Sequence, residues 1–128
     1  MKRDIELERK ILFEIEKKYQ PGHLKIRDFS VDGYSRELVA EHCRLLFEQG
    51  LISDYSPLDD GLGELIDFTI SDLTSHGYDF LEMIRKESDW IKIIKKVEEK
   101  ELPKTIGNVA KVAGIFFGNA IKEMSGLS

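Results

Sequence analysis

Between Leu51 and Ile70 the apolar residues of this chain change their period, and that change restricts the fold more than any other feature. Ahead of it, Leu7, Ile11, Ile15 and Tyr19 recur every fourth residue, the stripe of an amphipathic helix over residues 4–19. Within it, Ile66, Phe68 and Ile70 alternate with Asp67 and Thr69, the period of a half-buried strand. Beyond it the helical spacing returns. A hairpin set among helices in 128 residues reads as one small α+β protein with room for a real core.

The punctuation agrees. Asp4 is placed to cap the first helix, with Glu6 and Glu8 near its positive end, Lys17 and Lys18 near its negative end, and Pro21-Gly22 as the stop. Leu24 and Ile26 alternate with Lys25 and Arg27, which predicts a short strand within residues 23–31. Ser35 can cap a second helix running to about residue 49, with Leu38, Val39, His42, Leu45 and Leu46 on its inner face and Gly50 as its left-handed end. Strands are expected at 51–55 and 65–70, joined by the turn-rich 56–64 loop. Helices are expected at about 74–86, 89–100 and 105–124, the last with Ile106, Val109, Ala110, Ala113, Phe117, Ala120, Ile121 and Met124 on its apolar or small side.

Helix, strand, helix, hairpin, helix is the element order of a winged helix with one helix thinned out, here followed by two more helices. The expected division is a winged-helix-like domain over residues 1–87 and a helical extension over 88–128. The opening Met1-Lys2-Arg3-Asp4 with Leu7, Arg9-Lys10-Ile11-Leu12 and Ile15-Glu16 resembles an uncharacterised bacterial and phage family of winged-helix type, the YjcQ-like proteins and their relatives. Asp32-Gly33-Tyr34, then His42, Leu45-Leu46 and Gly50-Leu51-Ile52, is similar to that family's middle helix and its exit into the wing. Leu73-Thr74, Gly77, Phe80-Leu81, Ile84-Arg85 and Trp90 with Lys92 continue the resemblance. It spans roughly residues 1–100 and implies a fold rather than a mechanism.

Most winged helices press the middle helix and the wing onto duplex DNA. Here that surface has the wrong sign. Residues 35–84 hold 11 carboxylates against two arginines, Arg36 and Arg44, and no Lys or Arg lies between Arg44 and Arg85. Phosphates need cations for counterion release, so duplex DNA is disfavoured as a partner of the 35–49 helix and 51–70 wing. Lys25, Arg27, Arg36 and Arg44 are the candidate nucleic-acid contacts; the competing reading of the two helix arginines is pairing with neighbouring glutamates. The chain as a whole carries a net charge of −5, which excludes a basic nucleic-acid coat protein.

Catalytic and metal patterns are not expected. His42 and Cys43 are adjacent on a helix and diverge by about 100°, so they cannot share one ion, and core packing is the expectation for both. Asp59-Asp60-Gly61 fails as a calcium loop because Leu58 falls where an EF-hand needs an oxygen. No nucleophile elbow, phosphate loop or dinucleotide fingerprint occurs, so no enzyme, metal or cofactor is expected. A charged N-terminus, one cysteine and no long apolar run point to the cytoplasm and away from a membrane.

The last helix carries the surplus. Ile115, Phe116 and Phe117 widen its apolar face, and Ala110, Gly114 and Gly118 repeat at four-residue intervals. These six residues are the candidate interface for a homodimer or protein partner, the alternative being that the helix covers its own domain. The expected function is that of a small non-enzymatic accessory or regulatory protein acting through protein contacts. The alternative is a DNA-binding transcriptional regulator using the 35–49 helix and the 51–70 wing.

Overall fold

A computed structural model describes residues 1–124, with side chains to residue 118; the expected face residues Ala120, Ile121 and Met124 lie outside the described side chains. Among the described residues the elements are α1 (Ile5–Lys18), α2 (Arg36–Glu48), β1 (Tyr55–Asp59), β2 (Leu65–Ile70), α3 (Ser75–Ile84), α4 (Glu87–Glu99) and α5 (Ile106–Met124). The class is α+β. The chain divides into two compact units, Met1–Asp79 and Phe80–Ser128, the boundary falling inside α3.

In the first unit α1 packs on α2, and α2 on the hairpin. Asp4 caps α1 by accepting from the Leu7 N–H at 3.1 Å, and Ser35 caps α2 by accepting from the Leu38 N–H at 3.2 Å. Leu7, Ile11, Leu12 and Ile15 are buried from α1, and Val39, Ala40, Cys43 and Leu46 from α2. Leu38 and Leu45, expected on the inner face, are only half-buried, because the helix turns Ala40 and Cys43 inward. Gly50 ends the turn after α2 at φ +75°, as its position implied.

Two strand expectations are corrected. The predicted strand within 23–31 is reduced to Ile26, which exchanges both backbone hydrogen bonds with Ile70, at 2.7 and 3.3 Å. Leu24 is 80% exposed, and Asp28 turns the chain at φ +53° before it can extend further. The first hairpin strand starts at Tyr55, where the sequence reading ended it, and runs through Pro57. Leu51 and Ile52 are both buried, so the chain there does not alternate, and Ile52 forms only a bridge to Leu73. Pro57 is tolerated because β1 is the edge of the sheet, while β2 lies between β1 and the Ile26 bridge. Asp60 closes the tip by accepting from the Leu62 and Glu64 N–H groups, so the Asp59-Asp60-Gly61 segment is a hairpin turn.

Thr74 caps α3 through the Gly77 N–H at 3.0 Å. Gly77 is needed for contact rather than for backbone freedom: a Cβ there would lie 2.2 Å from the Leu51 carbonyl oxygen. In the second unit α4 packs on α5, with Trp90, Ile93 and Val97 buried from one and Val109 and Ala113 from the other.

Candidate interaction surfaces

His42 and Cys43 are fully buried. His42 bridges two segments: its Nε2 accepts from the Asp4 N–H at 2.9 Å, so Nδ1 is the nitrogen that donates to the Leu38 carbonyl, at 2.8 Å. Beside that bridge, Glu8 is buried against Arg3, whose Nε and Nη2 both contact Oε1, at 3.0 and 2.9 Å. Burial pushes the Glu8 carboxyl above its ordinary value, although hydrogen bonding and attraction from Arg3 oppose the shift. Burial likewise raises the Cys43 thiol, leaving it an inert core side chain. The His42–Asp4 contact ties α2 to the start of α1. Among the described residues no cluster of three or more His, Cys, Asp or Glu could hold a metal ion.

The α2–hairpin surface engages its own cations. Arg36 pairs with Asp67 of β2 and stacks over Phe68, 5.6 Å from the ring centroid. Arg44 lies between Glu41 at 2.9 Å and Glu48 at 2.8 Å. A groove of about 360 Å³ between helix and hairpin is lined by Glu37, Glu41, Gly63, Glu64 and Leu65. Such a surface repels phosphate.

Lys25 and Arg27 lie elsewhere. With Lys18, Gln20, His23 and Ile26 they line a groove of about 300 Å³. Lys25 points toward Asp54 at 3.8 Å and Ser56 at 3.4 Å; Lys18 pairs with Glu14 at 3.3 Å; Arg27 is exposed. The four candidate nucleic-acid contacts therefore fall into two separate groups.

In the second unit a groove of about 270 Å³ runs between α4 and α5. It is lined by the apolar Ile93, Val112, Ile115 and Phe116 and by Lys92, Lys96 and Lys100. Ile115 is 58% exposed. Of the six expected interface residues, Ile115 and Phe116 line the groove. Phe117 packs edge-on against Phe116, with ring centroids 5.4 Å apart, while Gly114 and Gly118 face open space. Among the described residues, therefore, the glycine spacing does not bring a second backbone close. The three lysines were missed from sequence. Their spacing was visible, but only the neighbouring α5 makes them the side of a groove.

A family model described as "Hypothetical protein (DUF2513)" matches residues 2–103. The chain belongs to that family. The match contains the first unit from its second residue onward, and α4, and it ends just ahead of α5. An uncharacterized protein of Haemophilus influenzae (strain ATCC 51907 / DSM 11121 / KW20 / Rd) is 29% identical over 115 residues, covering 88% of this chain and 92% of the relative. No solved structure matches the chain. The expected membership of an uncharacterised family thus holds, and the family is DUF2513. No helix among the described residues is long and apolar enough to cross a membrane.

Proposed function

We propose that this DUF2513 chain is a non-enzymatic, cytoplasmic accessory or regulatory protein of winged-helix type that works through protein–protein contact. The winged-helix kinship, including the YjcQ-like resemblance, is supported by the order helix, β-bridge, helix, hairpin, helix. One observation carries the choice of partner: Arg36 and Arg44, the two cations on the α2–hairpin surface, are already engaged by Asp67, Glu41 and Glu48. Duplex DNA bound there would have to break those pairs and then face the remaining carboxylates. Exposed Ile115 of α5, with Phe116 and Phe117 half-buried beside it, favours a protein surface instead, whether of a partner or of a second copy.

A transcription-type DNA binder is the second reading. The groove around Lys18, Lys25 and Arg27 is the observation in its favour. Fluorescence anisotropy with a random-sequence duplex at low salt separates the two readings. The protein-contact reading expects weak binding, and tight binding that falls steeply with salt overturns it.

A further inference from the structure

We infer that the groove between α4 and α5 docks an acidic amphipathic helix of a protein partner, with apolar side chains on its floor and carboxylates against its lysines. This rests on the protein-contact reading and names the partner's chemistry. Lys92, Lys96 and Lys100 stand four residues apart on the groove, about 6 Å of helix rise between neighbours. A facing helix with glutamates at the same interval presents carboxylates in register. Lys96 has one loose contact, with Glu99 at 3.7 Å, and Lys92 and Lys100 have no ion pair among the described residues.

Lysines near the end of α4 also complement the helix dipole, which accounts for Lys96 and Lys100. It leaves Lys92 unexplained, well before the last turn, as well as the 58% exposure of Ile115 beside it. The volume, about 270 Å³, lies just below the roughly 300 Å³ at which pockets for whole small ligands begin, and it suits inserted side chains. Two copies meeting at this groove across a twofold axis would oppose lysine to lysine, whereas an acidic helix is attracted. Apolar anchors at helical spacing, laid in a groove, are a recurring mode of peptide recognition.

The test uses the full chain and a labelled synthetic helix with leucines on one face and glutamates four residues apart, beside a twin carrying lysines for the glutamates. The acidic helix is expected to bind at least about tenfold more tightly than its twin. The variant Lys92→Gln/Lys96→Gln/Lys100→Gln, with an unchanged circular dichroism spectrum, is expected to lose about tenfold or more and to flatten the salt dependence. Ile115→Ser is expected to weaken binding while keeping the salt dependence. Equal binding of the twins, an unaffected lysine variant, or binding confined to phosphatidylglycerol vesicles overturns the inference. So does a dimer, measured by light scattering, that Ile115→Ser dissolves. These outcomes dispose of the acidic helix alone, whereas tight, salt-steep duplex binding overturns the protein-contact reading beneath it.

Discussion

In the first unit Arg3 lies against Glu8, Arg36 against Asp67 and Arg44 between two glutamates; in the second, Lys96 has one loose contact with Glu99, and Lys92 and Lys100 line a groove with no ion pair among the described residues. The same side-chain chemistry serves two ends. Where cation and carboxylate meet across elements, as Arg36 of α2 meets Asp67 of β2, the charge joins the fold together. Where cations stand in a row beside exposed Ile115, the charge is available to the partner proposed above. Counting net charge by segment detects neither arrangement, because it records how many charges there are and not which of them already have partners.

If this contrast is right, substitutions in the first unit act on stability, and those along the α4 groove act on binding. The largest effect is expected from His42→Ala, which removes the acceptor for the Asp4 N–H and opens a fully buried cavity. Thermal or denaturant unfolding should show a loss of about 2–4 kcal/mol. A loss below 1 kcal/mol would mean that the α1–α2 bridge is incidental. Gly77→Ala follows, at about 1–3 kcal/mol, because the new methyl meets the Leu51 carbonyl backbone. An unchanged unfolding midpoint would show that α3 shifts freely and that the close approach is unimportant.

Glu8→Gln gives a smaller effect with a distinctive pH dependence. The folded-state pKa of Glu8 is raised above its ordinary 4.5, so the folded protein holds the proton longer than the unfolded chain. Its contribution is fully present below pH 4.5 and is lost as pH rises through the folded value. Subtracting the Glu8→Gln stability profile from that of the wild type should isolate a term that declines with rising pH; a rising term contradicts the assigned burial effect. The smallest stability change belongs to the Lys92, Lys96 and Lys100 variant, about 0.5 kcal/mol or less per site as is usual for exposed positions. A larger loss would make those lysines part of the fold and erase the contrast.

How far the sequence disclosed these features depends on their range. Both helix caps that bound α1 and α2 were legible because a cap and its partner N–H lie three residues apart. The strand around Leu24 was misread because alternation specifies a face only if a neighbour covers it, and here only Ile26 reaches β2. β1 began later than expected because Leu51 and Ile52 are held by different surroundings, which local pattern does not encode. The pairing of Arg36 with Asp67 spans 31 positions, and glutamates nearer in sequence were the expected partners. The α4 lysines give no signal of a groove in the sequence, because only α5 beside them makes them the side of one.

The central claim is that the chain's contact surface is the α4–α5 groove and not the α2–hairpin face. Amide chemical-shift mapping of the isotope-labelled full chain, titrated with the acidic helix and separately with random duplex, tests it most directly. The account predicts shifts concentrated at Lys92, Lys96, Ile115 and Phe116 with the helix, and little movement over 36–48 and 55–70 with the duplex. Strong shifts on Arg36, Arg44 and the hairpin on adding duplex, with the groove silent to the helix, would contradict it.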